Sequence, residues 1–391
     1  MNARHYYQRG LTLLELLVAI TLGLAVIAGT IQIYLGTSQT YRVQEAQSRI
    51  QENGRYALEV LTRQIRMAGF TGCALSLDHS FANVLNDPED NWWSNFGTFR
   101  VQEFQQASLQ GFNGGETFPA QSDGTSSAQR VAGTEALIVI SGSNRSYSID
   151  SDNPHDPVNS QFTLNNLQDL QTGDIFLVCD SNQISIAQVT DTNTGNDTFD
   201  HTDAAGPVPG NCTGSLGSPD PAAIQAAGGD PNAIDICADA VAYTFGSNAV
   251  LTRLTPLAFY IGVSTSGDSR SLFRTRLTVN SSGEAVTATQ ELIEHVEDMR
   301  ILYGVGTPGG QINDYREAGA VADWRNVLSV RIDLLLASPP GIQVINETQT
   351  VWFPTEGVVG GNMVSGVALT RDDGRLRQVF STTIGLRNRL P

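Results

Sequence analysis

The pattern of apolar and polar positions divides the chain into a helical N-terminal part and a body of short strands. A largely apolar run extends from Leu11 to Leu35 and contains one charged residue, Glu15. A helix rises 1.5 Å per residue, so the segment from Leu13 to Leu35 would be about 34 Å long, against roughly 30 Å for the hydrocarbon core of a bilayer. The run therefore predicts a membrane-spanning helix over 11–35.

The helical pattern continues through residues 36–69, where it becomes amphipathic. Small and apolar residues recur there at spacings of three and four, at Val43, Ala46, Ile50, Gly54, Ala57, Leu61, Ile65 and Ala68. Gly69 is the predicted end. A continuous helix from Thr12 to Ala68 would be about 85 Å long, so its second half must lie on protein. A coiled coil is one alternative, but the small residues favour close packing on a β-sheet.

The remaining 70–391 segment has the pattern of a β-rich domain with long polar loops. The predicted fold class is α+β, a long N-terminal helix packed on an antiparallel, β-sheet-rich globular domain. Long insertions are predicted near 77–131 and 191–235, and a short helix from Gln290 to Glu297. Strands are predicted at Glu135–Ile140, Asp174–Cys179, Gln183–Thr190, Val241–Phe245, Leu257–Val263, Ser271–Thr278, Asp298–Val305, Val327–Leu336 and Gln378–Leu386.

Composition narrows the possible partners and the redox state. A formal net charge of -17 and the lack of a basic cluster in the central sequence argue against nucleic-acid binding. Four cysteines fit two disulfides in an oxidising compartment, with three pairings possible. Scattered histidines and the absence of a CxxC pair argue against zinc. The disulfide candidates are Cys73, Cys179, Cys212 and Cys237.

Few segments suggest chemistry, and the sequence predicts no catalytic residue, metal or cofactor. The segments 150–153 and 191–197 contain oxygen donors but lack a complete calcium loop, so we interpret them as solvated turns. An enzyme remains a minor hypothesis because no nucleophile or phosphate-binding motif is present. The densest aromatic cluster favours core packing over an exposed binding surface, and consists of Trp92, Trp93, Phe96 and Phe99.

Three interpretations compete for the N-terminal segment. It could be a plain membrane anchor, a signal peptide cut after Ala28, or a precursor cut ahead of the apolar run. Glu15 argues against the signal peptide, because a carboxylate at mid-membrane costs about 2.5 to 3.5 kcal/mol and marks a functional position.

Residues Arg9 to Leu16, with the sequence RGLTLLEL, resemble the processing site of type IV prepilins. The resemblance implies a leader of residues 1–10, cleavage after Gly10 by a prepilin peptidase, and methylation of Leu11. Glu15, with Thr12 beside it, would set subunit register by pairing with the N-terminal ammonium of a neighbour. Such a pair is worth about 4 kcal/mol at 4 Å and an effective dielectric of 20. The alternative role is simple compensation of the helix dipole, worth about 0.3 to 1 kcal/mol.

The C-terminal part is similar to PilW-like minor pilins, while the middle of the chain matches no family. The similar segments are 272–274, 292–299, 303–305, 375–377 and 386–389, with Trp324 and the strand after it in the same order. The resemblance implies a pilin-like fold and a low-abundance subunit that initiates pilus assembly at or near the tip.

The same resemblance implies partners and a location. The expected partners are other minor pilins and the major pilin, and the resemblance also allows a tip adhesin as a partner. Before assembly the chain would sit in the inner membrane with a periplasmic C-terminal domain, and afterwards in the pilus. A type II secretion minor pseudopilin of the GspJ type and a membrane-tethered binding module are the alternatives.

Overall fold

The computed structural model describes residues 12–73, 80–97, 100–203, 206–226, 228, 230, 234–307, 310–340, 344–345, 348–353 and 367–389. Within these ranges a 53-residue helix, α1 (Leu13–Ile65), precedes a domain made mainly of β-strands. The shorter helices are α2 (Val101–Ala107), α3 (Pro221–Ala226) and α4 (Ile236–Asp239), and 3-10 turns lie at Pro88–Asp90, Ala318–Ala320, Trp324–Asn326 and Arg387–Arg389. The predicted fold class, a long apolar N-terminal helix followed by a β-rich domain, is confirmed.

The strands form two main sheets and two small ones in the described part of the chain. In chain order they are β1 Ser80–Asn83, β2 Leu109–Phe112, β3 Ala136–Tyr147, β4 His155–Asp156, β5 Gln161–Thr163, β6 Ile175–Cys179, β7 Gln183–Gln188, β8 Asp191–Asn193, β9 Thr198–Asp200, β10 Val250–Val263, β11 Arg270–Val279, β12 Ala285–Glu294, β13 Val296–Gly306, β14 Ile312–Arg316, β15 Val327–Ala337, β16 Gln349–Phe353, β17 Val367–Arg371 and β18 Arg377–Gly385.

The larger main sheet has eight strands. Its principal order is β1-β7-β6-β10-β11-β12, and β3 pairs with both β10 and β2. The second main sheet has the order β14-β13-β15-β18 and is antiparallel throughout. The small sheet β4-β5-β9-β8 and the hairpin β16-β17 complete the set. The domain is thus built mainly from neighbouring antiparallel strands, as the sequence pattern predicts, with the exception that β1 runs parallel to β7.

The chain passes from the first main sheet to the second at His295. This residue has a φ of 63°, in the left-handed region, and separates β12 from β13. The backbone N–H of Ala337 donates to its carbonyl at 3.0 Å. The predicted helix at Gln290–Glu297 is therefore wrong. Ile293 and Val296 are both buried at a spacing of three because of this turn between two strands, not because of helical periodicity.

Other strand predictions need correction at their bounds. Val241–Phe245 is not a strand, since its only ladder contact in the described residues is a bridge from Val241 to Gly217. Its apolar pattern comes from Tyr243 and Phe245, whose rings contact each other edge-on. Strand β10 begins at Val250, earlier than predicted, and the β16-β17 hairpin was not predicted.

Two disulfides join distant parts of the domain, and no cysteine is free. Cys73 is bonded to Cys179, which links the segment after α1 to the end of β6. Cys212 is bonded to Cys237 within the predicted 191–235 insertion and its edge. Of the three pairings that four cysteines allow, the structure therefore has Cys73 with Cys179 and Cys212 with Cys237.

The predicted 77–131 insertion contains regular elements that pack against the first main sheet. Phe81, Phe96 and Phe104 lie within 6.4 Å of one another, measured between ring centroids. Trp93 and Phe96 are buried, as core packing of the aromatic cluster predicts. Phe99 lies outside the described residues. These rings extend the core on the side of the sheet opposite α1.

Candidate functional site

The N-terminal end of α1 places two of the predicted assembly residues in direct contact. Thr12 is the N-cap of the helix, and its backbone N–H donates to Glu15 Oε2 at 2.9 Å. The Thr12 hydroxyl also donates to Glu15 Oε2, at 3.0 Å, and accepts from the Glu15 N–H at 3.3 Å. This is a capping box, in which two side chains satisfy the free amides of a helix start. Gly10 and Leu11 lie outside the described residues.

The described residues of α1 up to Leu35 are all exposed. Among the described residues, α1 is the single helix long and apolar enough to cross a membrane, judged by length and composition, and its most apolar window is fully exposed. Leu22 and Ile33 keep 63% and 71% of their surface accessible. Exposing such a long apolar helix to water is unfavourable, so this half requires a bilayer or the helices of other subunits.

The second half of α1 packs on the second main sheet. Its buried residues lie about one turn apart, and the helix contacts β18 and β15 of this sheet and also β12 of the first main sheet. Ala57, Leu61 and Ile65 have no accessible surface. A Cβ added at Gly54 would lie 2.5 Å from the ring of Phe380 on β18, so the glycine permits this close approach. The face that is buried is Ala46, Ile50, Gly54, Ala57, Leu61 and Ile65, as the periodicity predicts.

A carboxylate connects the two main sheets beneath α1. Glu135, at the start of β3, accepts a hydrogen bond from the N–H of Ile301 at 2.6 Å and one from Arg300 at 3.1 Å. Burial raises the pKa of Glu135 to about 7, against the opposing effect of these two partners. Because its hydrogen bonds are made within the sheet contact, we assign it a structural role rather than a catalytic one.

Ion pairs hold the C-terminal strand in place. Arg377, at the start of β18, bonds Glu297 at 2.7 Å and Asp373 at 2.6 Å. Arg375 bonds Glu297 at 2.6 Å. These contacts fix the start of β18 beside β13, and so position a strand on which α1 lies.

Two histidines that are 46 residues apart in sequence meet in the core. The Nε2 atoms of His155 and His201 are 3.1 Å apart. The N–H of Phe245 donates to His155 Nδ1 at 3.3 Å, so this ring also contacts the segment that follows α4. Burial lowers the pKa of His155 to about 4 and that of His201 to about 3. The spacing of the two histidines in sequence gives no sign of this pair. His155 lies on β4 and His201 directly follows β9, and the two meet because β4 and β9 both pair with β5.

The described residues contain no metal centre of three or more His, Cys, Asp or Glu side chains. At the first calcium candidate, Asp150 Oδ1 accepts from the N–H groups of Asp152 and Asn153. At the second, Asn193 Oδ1 accepts from the N–H of Gly195. The side-chain oxygens therefore close turns of their own backbone, which is the ordinary use of Asp and Asn in loops.

Comparison with known families matches both ends of the chain. The model of the family described as Type IV Pilus-assembly protein W matches residues 258–388, and the prokaryotic N-terminal methylation motif matches residues 6–31. The resemblance to PilW-like minor pilins is confirmed. The first match spans the strands from β10 to β18, and the second spans Gly10, Leu11 and Glu15.

The comparisons with curated proteins and with solved structures add less than the two family matches. The search of curated proteins gave no significant match. A type IV-like pilin from Thermus thermophilus matches in structure with 13% identity, over 36% of this chain and 70% of that chain, at a TM-score of 0.21.

The coarse functional class follows from the two family matches. The chain is a pilus-related pilin, a class of structural rather than enzymatic proteins. The prepilin motif and the apolar helix indicate a membrane-anchored protein. They also imply processing by a prepilin peptidase and contact with other pilins.

Proposed function

We propose that this pilin is a minor subunit that helps to initiate assembly of a type IV pilus and is incorporated at or near its tip. The observation that carries the proposal is the division of α1 into an exposed apolar half with one carboxylate and a half buried on a sheet. The buried half fixes the helix to the domain, and the exposed half is left to bind other helices.

Glu15 is the proposed register residue. In the isolated chain its carboxylate has the backbone N–H and the hydroxyl of Thr12 as partners. A neighbour's N-terminal ammonium would add a full positive charge, and within a helix bundle this pair would be stronger than hydrogen bonds to neutral groups. A subunit shifted along the bundle would lose the pair, which is how one carboxylate can select one axial position.

Processing at Gly10 is the first step of the proposed route. The chain has 23 arginines and no lysine, so the mature N-terminus would be its one primary or methylated amine. Intact-mass analysis of the purified protein should show loss of residues 1–10 and addition of one methyl group. A Gly10→Val variant should retain the leader and remain in the inner membrane, and normal processing of that variant would refute the assigned site.

A deletion strain separates the pilus from the type II secretion alternative. We expect loss of surface pili and of twitching motility, with secretion of folded enzymes unchanged. Complementation with the parent chain should restore both. Normal piliation combined with impaired secretion would assign the chain to a pseudopilus instead, and normal behaviour in both assays would favour a tethered binding module.

A further inference from the structure

A cleft of about 670 Å³ opens where the end of α1 meets the edge of β3. One wall is the last part of α1 with the turn that follows it, from Leu58 to Met67, and the opposite wall is Ser141–Asn144. Arg387, in the 3-10 turn after β18, closes one side. The cleft therefore lies on the flank of the helix, outside the face that packs on the sheet.

Positive charge dominates this cleft. Arg63, Arg66 and Arg387 line it, with Glu59 as the one carboxylate, and all four side chains are exposed. Within the described part of the chain these three guanidiniums make no ion pair or hydrogen bond, whereas Arg377 pairs with two carboxylates. In a chain of net charge -17, three such cations at one place form a local site for an anion.

Two hydrogen bonds hold the walls of the cleft together. The N–H of Gly69 donates to the carbonyl of Ile140 at 2.9 Å, which ties the segment after α1 to β3. Asn388 Nδ2 donates to the carbonyl of Ala68 at 3.0 Å, which ties the C-terminal turn to the end of the helix. The walls are thus fixed before a partner arrives, and a preorganised site loses less entropy on binding.

The position of the cleft excludes membrane lipids as the anion. Helix α1 is continuous, and its apolar run ends at Leu35. Arg63 lies 28 residues beyond that point. At 1.5 Å per residue this is about 42 Å from the membrane surface, several times the screening length of roughly 8 Å at physiological salt.

The charge of the whole chain disfavours a long polyanion such as nucleic acid. A net charge of -17 repels a polyphosphate at long range, and three arginines would neutralise only about three phosphates. A short carboxylate-bearing segment avoids this cost, because it meets the local field of the cleft alone. Arginine also matches carboxylates through paired hydrogen bonds.

We propose that the cleft binds a carboxylate-bearing segment of a neighbouring pilin, laid along the flank of α1. The proposal rests on the proposed function, since it is the filament that brings a second pilin to this surface. In this arrangement Glu15 sets the axial register of the subunits, and the cleft makes a second, lateral contact between them. The two contacts are separated by the membrane-spanning part of α1 and about 42 Å of helix beyond it.

The binding step can be tested without a filament. The probe is a fluorescently labelled hexaglutamate peptide, titrated by fluorescence anisotropy against the full chain in zwitterionic detergent micelles. We expect a triple Arg63→Gln/Arg66→Gln/Arg387→Gln variant to bind about tenfold more weakly, which corresponds to about 1.4 kcal/mol in total from three solvent-exposed charge pairs. A matched variant, Arg42→Gln/Arg55→Gln/Arg276→Gln, removes the same charge away from the cleft and should stay within about twofold of the parent.

Equal weakening by both triple variants would overturn the cleft as the site, because it would show a general charge effect. Equal binding by parent and cleft variant would overturn it as well. Thermal unfolding of both variants checks that the fold is intact, which we expect since every substituted side chain is exposed.

The partner can be identified in cells by a photo-crosslinking amino acid at Asn144, an exposed position on the cleft wall. Mass spectrometry should find an acidic peptide of another prepilin-type subunit joined at this position. A nucleic-acid adduct, or no adduct in a strain that still incorporates the chain into pili, would refute the cleft while leaving the proposed function standing. Failure of the parent chain to enter pili would refute the proposed function, and the peptide titration would still decide the cleft.

Discussion

The contact between Gly54 and Phe380 gives a prediction whose sign depends on the packing of α1 against β18. Replacing glycine by alanine inside a helix ordinarily stabilises a protein by about 1 kcal/mol. Here the added Cβ would lie 2.5 Å from the Phe380 ring, closer than packed carbon atoms can be. Overpacking of this kind costs about 1 to 3 kcal/mol. We expect Gly54→Ala to lower the free energy of unfolding by about 1 kcal/mol.

The measurement is urea unfolding of the full chain in detergent micelles, followed by tryptophan fluorescence. Trp324 is a suitable reporter, because its ring lies 4.7 Å from that of Tyr303 in the core beneath α1. Gly36→Ala is the control, since a Cβ at Gly36 meets nothing within 4 Å. It should be neutral or slightly stabilising.

A second-site change makes the reasoning refutable. Phe380→Leu shortens the side chain that the new Cβ would meet, so Gly54→Ala in that background should be neutral or stabilising. If Gly54→Ala stabilises the parent as much as it stabilises the Phe380→Leu variant, the two residues are not coupled. The helix would then not lie against β18 as described.

Two further predictions concern the domain itself. Burial in the folded state lowers the pKa values of His155 and His201 to about 4 and about 3, so the free energy of unfolding should fall as pH falls below about 6.5. From pH 8 to pH 5 each histidine accounts for about 2 kcal/mol, so the loss should be about 4 kcal/mol greater than in a His155→Gln/His201→Gln variant. Parallel pH profiles of the two proteins in urea unfolding would contradict this. Removing the Cys73–Cys179 bridge, which closes a loop of 106 residues, should lower the free energy of unfolding by roughly 5 kcal/mol. Removing the Cys212–Cys237 bridge, which closes 25 residues, should lower it by about 3.5 kcal/mol. If the second removal lowers the denaturant midpoint more than the first, the loop-entropy argument is refuted.

The helical half of the fold could be predicted from sequence because local periodicity determines it. The apolar run, the buried face from Ala46 to Ile65 and the capping residue Thr12 all follow from spacing along one helix. Strands with alternating or continuous apolar residues, such as β15, were predictable for the same reason. Glu15 could be singled out because a lone carboxylate in an apolar run needs a partner.

The features that could not be predicted from sequence depend on contacts between segments that are far apart in the chain. The left-handed turn at His295 has no glycine to mark it, so its spacing of apolar residues resembled a helix. The His155–His201 pair and the cleft lined by Arg63 and Arg387 exist only once strands and helix end are placed together. Pairing of the cysteines also depends on the fold, since the sequence alone allows three arrangements.

The amount of this chain in sheared pili, compared between the parent and a Glu15→Leu variant, tests the central claim most directly. The leucine keeps the apolar run and membrane insertion but cannot pair with a neighbour's N-terminal ammonium. We predict that processing and the inner-membrane level of the variant match the parent, while its incorporation into pili falls by at least tenfold, as loss of about 1.4 kcal/mol or more of pairing energy requires. Incorporation at the parent level would contradict the role of Glu15 as the residue that sets subunit register.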